Sequence, residues 1–185
     1  MAATNRGSRT LPVALEMLEA DHRKVEMLFD QYEDMKEDSS EDEKRALAQK
    51  ICMELKVHTQ IEEEIFYPWV RENGDESDLV EEATVEHQSA KDLIAQLEGA
   101  SGIDETYDAK VKVLGEYVKH HVQEEENEMF PPLESMQDEL DELGQEMTAR
   151  KVELMAEMGM VDEEAEGAMA AGRSRSRNQQ AQRGA

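Results

Sequence analysis

The 185-residue chain has a net charge of −25, from 20 lysines and arginines against 45 aspartates and glutamates, and only 4% of its residues are aromatic. Its single cysteine, Cys52, excludes an intrachain disulfide, a thiolate zinc site and an iron–sulfur cluster, and the lack of a CxxCH sequence excludes covalently attached haem. The acid excess opposes binding to nucleic acid or anionic membrane, and with no apolar run of ~18 residues and no signal-like N-terminus the chain is expected to be cytoplasmic.

The charge is unevenly spread. Residues 1–166 hold 16 basic and all 45 acidic residues, a net −29, whereas residues 167–185 hold four arginines and no acid. Good helix formers dominate and β-branched runs are missing, so the chain reads as all-α.

Residues 1–9 are polar and expected to fray. A first helix begins near Thr10, with Pro12 in its opening turn. Leu11, Leu15, Leu18, His22, Val25, Phe29 and Tyr32 recur at alternating steps of four and three, a seam for packing on other helices. The seam breaks at Lys36, and residues 38–42 read as a loop with a new N-cap. The second helix carries Leu47, Ile51, Leu55, His58, Glu62, Ile65 and Trp69, and stops at Asn73-Gly74-Asp75. The third, from about Asp78 to Glu98, carries Val80, Ala83, His87, Ala90, Ile94 and Leu97. The fourth carries Tyr107, Val111, Leu114, Val118, His121 and Glu125, and is expected to change course at Pro131-Pro132. Short joints between such helices predict an up-down-up-down four-helix bundle over residues 10–132. An amphipathic helix over 133–160 is expected on the outside of the bundle or in a homodimer contact. Residues 161–185 read as a disordered, solvated Arg/Ser/Gln-rich tail.

The chain repeats itself. His58-Thr-Gln-Ile-Glu62 leads to Pro68 as His121-Val-Gln-Glu-Glu125 leads to Pro131, and Asp21-His22 is matched by Glu86-His87. Two similar helical hairpins can meet with approximate two-fold symmetry.

Four of the five histidines stand on the seams of four successive helices. Burying four imidazoles without partners costs several kcal/mol, and a shared metal centre removes that cost. Glu62 and Glu125 lie one turn beyond His58 and His121 on the same faces. Glu63, Glu64, Glu124 and Glu126 read instead as parts of solvated acidic runs. His120 sits about 100° off the seam that carries His121. The candidate metal ligands are therefore His22, His58, Glu62, His87, His121 and Glu125, with no separate catalytic or organic-cofactor residues. Four imidazoles and two carboxylates suit a pair of iron or manganese ions, each taking two histidines and sharing both glutamates. A ferritin-like site needs Glu-x-x-His on two helices; Glu19 before His22 supplies it once only.

The His22, 58–68, 86–94 and 121–131 segments together resemble the hemerythrin-like, HHE cation-binding family over roughly residues 10–132. The resemblance implies a bundle with a carboxylate-bridged pair of non-haem iron ions on the six residues just named. One departure bears on function. The oxygen-carrying members have a second histidine one turn along the third helix, and here that position is Lys91. Glu26, one turn after His22, is an alternative fifth donor, and Glu126 an alternative to Glu125. The expected function is binding of oxygen, peroxide or nitric oxide for sensing, protection or delivery. The alternatives are an iron-responsive stability switch read by a partner, and a weak peroxide-decomposing enzyme. Tyr67 and Tyr117 are expected in the core.

Overall fold

The computed structural model describes residues 11–160, so the polar start at 1–9 and the tail at 161–185 lie outside the described residues. It is all-helical, with no strand among the described residues. The helices are α1 (Val13–Met35), α2 (Glu41–Ile61), α3 (Tyr67–Asn73), α4 (Ser77–Glu98), α5 (Tyr107–Glu124), α6 (Phe130–Leu133) and α7 (Gln137–Glu157). None of these is long and apolar enough to cross a membrane.

Local chemistry sets the ends. Ser40 opens α2 with a capping box: its hydroxyl accepts from the Glu43 amide, and the Glu43 carboxylate accepts from the Ser40 N–H at 2.9 Å. The start of α1 has no such local cap. Its Val13 N–H donates to Asp141 of α7 at 2.8 Å, so a distant helix satisfies an amide that the first turn leaves free.

Two helices carry an interruption that the sequence pattern does not announce. Glu62–Phe66 joins α2 to α3 as a π-helical turn, and Glu125–Met129 joins α5 to α6 in the same way. Each turn accommodates one more residue than an α-turn does. The expected seam over Ile65 and Trp69 is therefore displaced, and Phe66, Tyr67 and Val70 are buried instead. A proline follows each π turn: Pro68, and the Pro131-Pro132 pair. Each proline falls in the first residues of the helix that restarts after the π turn, where a missing amide costs little. The helix accordingly runs through Pro131-Pro132 to Leu133 and does not turn aside at them.

Helix α1 packs against α2 and α5, and α4 packs against the same two. One part of the interior is apolar, built from Val25, Leu28, Ile51, Leu55, Ile94, Val111 and Leu114. Tyr32 closes it with a hydroxyl that donates to Asp108 at 2.7 Å.

The chain divides into a main unit ending at Lys151 and a second unit from Val152. In the described part of the second, α7 ends and Gly159 takes a left-handed conformation at φ 68°. Within the main unit, Gly144 of α7 lies against the first turn of α1. A Cβ there would sit 2.5 Å from the Ala14 nitrogen and 2.8 Å from the Val13 carbonyl carbon. Backbone cannot yield as a side chain can, so Gly144→Ala should cost about 1–3 kcal/mol, read as a lower denaturation midpoint. Gly102→Ala is the control: its Cβ would meet nothing nearer than Arg45 at 3.9 Å, and stability should be unchanged.

Candidate metal centre

Six donors converge between the helices. His22 comes from α1, His58 from α2, His87 from α4 and His121 from α5, while Glu62 and Glu125 open the two π turns. All six are buried. The four Nε2 atoms point inward. Glu62 Oε2 lies 3.2 Å from His58 Nε2 and 3.3 Å from His87 Nε2. Glu125 Oε2 lies 3.2 Å from His22 Nε2 and 3.5 Å from His121 Nε2. The Nε2 atoms of His87 and His121 are 3.2 Å apart.

These atoms form two groups, each able to surround an ion: His22, His58, Glu62 and Glu125, and Glu62, His87 and His121. Glu62 belongs to both. His22 Nε2, His58 Nε2, both Glu62 oxygens and Glu125 Oε2 are buried with no hydrogen-bond partner. Orphaned buried polar atoms are rare because each costs about 1–3 kcal/mol. Imidazole nitrogens and carboxylate oxygens with free lone pairs aimed at common points fit a metal centre, and a cation is the simplest group that satisfies all of them.

A second layer lies behind the histidines. Glu126 Oε1 faces His22 Nδ1 at 2.9 Å, Glu63 Oε1 faces His87 Nδ1 at 3.0 Å, and Glu86 Oε2 faces His121 Nδ1 at 2.9 Å. Asp21 Oδ2 lies 3.8 Å from His58 Nδ1, beyond hydrogen-bond length. Carboxylates in this position fix the ring orientation and raise its basicity as a ligand. The arrangement follows the repeat. Asp21 and Glu86, each preceding a histidine, serve the other helix of their own hairpin, whereas Glu63 and Glu126 reach across to the opposite hairpin.

Glu63 and Glu126 therefore depart from the expectation of solvated glutamates, although their shared position five residues after His58 and His121 was a signal. Glu64 and Glu124 do face outward, to Arg150 and His120. Beyond the carboxylates stand basic side chains. Lys91 binds both Glu63 oxygens at 2.6 Å, Arg23 pairs with Glu126, Lys151 with Asp21, and His120 lies 3.6 Å from Glu86.

The remaining alternatives separate by position. His120 is 63% exposed and outside the centre. Glu26 pairs with Arg23 at 2.6 Å on the surface and is not among the converging donors. Glu125, not Glu126, lies among the Nε2 atoms. Tyr117 is not a core residue; it is exposed. Tyr67 is buried at the centre itself, where its hydroxyl donates to Glu125 Oε1 at 2.9 Å and lies 3.3 Å from His87 Nε2. Burial, with the charges of Glu125 and Glu62, pushes its phenol well above the usual value and keeps it protonated. A small, mostly apolar cavity of about 30 Å³ adjoins the four histidines, lined also by Val25, Leu55, Ala90, Val118 and Val122.

A helical bundle with a buried cluster of imidazoles and carboxylates is a cation-binding protein by the chemistry of its donors. The family model for the hemerythrin HHE cation binding domain matches residues 13–133, and the chain belongs to that family. The chain is also similar to a protein named DNA nickase from Nostoc sp. (strain PCC 7120 / SAG 25.82 / UTEX 2576), with 25% identity over 146 residues. That match takes in 78% of this chain but 40% of the relative, so the chain spans well under half of the relative's length. No solved structure matches.

Without metal, protons take the place of cations. Burial opposes charge on His22, but the facing carboxylates of Glu125 and Glu126 outweigh it and raise its pKa to about 10. Burial likewise opposes charge on His87, and Glu62 and Glu63 raise it to about 9. A group raised above the usual imidazole value of 6.5 adds stability that is complete below that pH and is lost as pH rises through the folded-state value. The chelator-treated protein should thus melt at progressively lower temperature as pH rises from about 6.5 to about 10. Metal uptake near neutral pH should release protons. Thermal scans and a pH-indicator titration check the two; a melting temperature that climbs over this range would contradict the protonated pair.

Proposed function

We propose that this chain holds two iron ions on His22, His58, Glu62, His87, His121 and Glu125, and uses them to bind a small oxygen-derived or diatomic species. The observation that carries the reading is the pair of donor groups sharing Glu62, all buried and with five atoms left unpartnered. A single ion on His22, His58, Glu62 and Glu125 would leave the Nε2 atoms of His87 and His121 facing each other at 3.2 Å beside Glu62, with no cation between them. In this reading residues 10–132 form an up-down-up-down four-helix bundle and 133–160 its added C-terminal helix. The adjoining cavity, apolar and about 30 Å³, has room for about one molecule the size of water. That size favours oxygen, peroxide or nitric oxide over a larger organic ligand.

When bound, iron would supply Lewis acidity and one-electron chemistry. The chain's own groups orient the imidazoles through Asp21, Glu63, Glu86 and Glu126, which face the Nδ1 side and leave Nε2 for an ion. Lys91 is turned to Glu63 and supplies no donor to the centre. The protein therefore lacks the extra histidine that the resemblance associates with reversible oxygen carriage, and consumption of oxygen or peroxide is favoured over its return.

A second reading, an iron-responsive switch, has its own observation. Lys151 of α7 pairs with Asp21, whose other oxygen faces His58. Loss of metal would be felt at that contact, and a partner reading α7 would sense it. The nicking activity named for the Nostoc relative is not carried over: a net charge of −25 opposes a phosphate backbone.

Anaerobic iron loading followed by elemental analysis should give two irons per chain. His58→Ala and His121→Ala should each lose iron, whereas His120→Ala should keep both. Saturation of the unaltered chain at one iron, or loss in His120→Ala equal to that in His121→Ala, would refute the assignment. On mixing the reduced, loaded protein with oxygen, the gas should be consumed and not recovered under vacuum; full recovery would make the protein an oxygen carrier.

A further inference from the structure

Of the four carboxylates that face the Nδ1 atoms, three are paired with a lysine or arginine of the chain. Lys91 holds Glu63, Arg23 holds Glu126 and Lys151 holds Asp21. The fourth, Glu86, has no lysine or arginine partner among the described residues. Its Oε2 faces His121 Nδ1 at 2.9 Å, and its Oε1 lies 3.6 Å from His120 Nε2. His120 Nε2 is in turn 3.3 Å from Glu124 Oε1. Two carboxylates converge on one imidazole at the place where the other three positions have a fixed cation.

The repeat confines this cluster to one hairpin. Glu86 corresponds to Asp21, but Val57 and Ile61 hold the places of His120 and Glu124 in the first hairpin. Val57 and Ile61 are buried, whereas His120 is 63% exposed and Glu86 and Glu124 are partly exposed. A polar, outward triad therefore stands where the related face is apolar and closed. The cavity beside the four histidines reaches this side of the bundle, because its lining includes Glu86 and the exposed Tyr117, one turn before His120.

The donor atoms of Glu86, His120 and Glu124 all lie within 4.8 Å of one another. Donors bound to one ion at about 2.1 Å stand about 3–4 Å apart, so small side-chain rotations close the triad. Glu86 comes from α4, and His120 and Glu124 from successive turns of α5, so the packing of two helices sets the spacing. The charges of Glu82 and Glu128 also act on Glu124 and draw a cation to this face. One imidazole with two carboxylates suits ferrous iron, manganese or zinc, and the imidazole disfavours magnesium and calcium. We propose that Glu86, His120 and Glu124 form an outer site for a divalent first-row transition cation, at which iron docks before it enters the centre. Three donors at an exposed position leave water on the rest of the ion, so it exchanges readily and is lost on desalting, while the buried centre keeps its metal. The outer site stands on its own residues; its part in loading rests on the reading of the buried donors as a metal centre.

Two measurements on the full chain test this. Manganese(II) added to the iron-loaded protein and followed by electron paramagnetic resonance should bind with nitrogen coupling from an imidazole. His120→Ala should abolish that coupling, and His120→Ala and Glu124→Gln should each weaken binding by about tenfold or more. Glu105→Gln, which removes an exposed acid outside the cluster, should bind manganese as the unaltered protein does. In the second measurement, chelator-treated protein takes up limiting ferrous iron without oxygen. His120→Ala and Glu124→Gln should fill several-fold more slowly, yet retain as much iron after desalting as the unaltered protein. Manganese bound without nitrogen coupling, the same coupling in His120→Ala, or equal uptake rates in all the proteins would overturn the inference. One retained iron in every protein, with manganese binding and uptake rates as expected, would refute the two-iron reading and leave the outer site standing.

Discussion

Everything in this fold answers to one electrostatic demand: four imidazoles and two carboxylates are held in a helical interior where none can be left bare. Each unpartnered polar atom there costs about 1–3 kcal/mol, and an unpaired charge costs more. A domain of this size has a net stability of only about 5–15 kcal/mol, so it cannot carry such atoms without compensation. The response is layered. The inner carboxylates face the Nε2 atoms, the outer carboxylates face the Nδ1 atoms, and Lys91, Arg23, Lys151 and His120 stand behind the outer carboxylates. Lys91, Arg23 and Lys151 each set a cation against the carboxylate that faces His87, His22 or His58.

The layering ties remote parts of the chain to the centre. Lys151 sits on α7, 130 residues from Asp21 in sequence, yet pairs with the carboxylate that faces His58. Asp141 caps α1 from the same helix, and Gly144 lets the two backbones approach. Helix α7 is therefore joined to the centre by charge and hydrogen bonding as well as by packing. Changes at its surface can reach His58 through one contact.

The π turns are the geometric counterpart of the electrostatics. An uninterrupted α-helix after Glu62 would bury Ile65 and Trp69, as the spacing predicts. The inserted residue rotates the following turn so that Phe66, Tyr67 and Val70 go inside. Glu62 opens one π turn and Glu125 the other, so the two carboxylates and the two rings behind them are placed by the same device, used twice.

The sequence by itself determined the helical class, the positions of the four histidines on their seams, and the pairing of Glu62 and Glu125 with His58 and His121. Those features follow from a repeat of about 3.5 residues and a four-residue step, both local properties of one helix. It also showed that Lys91 stands where a histidine would otherwise be. Tertiary structure alone decided what Glu63 and Glu126 do, because their partners His87 and His22 lie on other helices, 24 and 104 residues away. It decided that Lys91 faces Glu63, that Glu26 stays at the surface, and that Tyr67 reaches Glu125. No periodicity in one helix specifies which helix packs beside it, and a single inserted residue turns the pattern after it by a large fraction of a turn. The inner donors were legible because each helix encodes its own inward face; the layers around them were not, because they form only between helices.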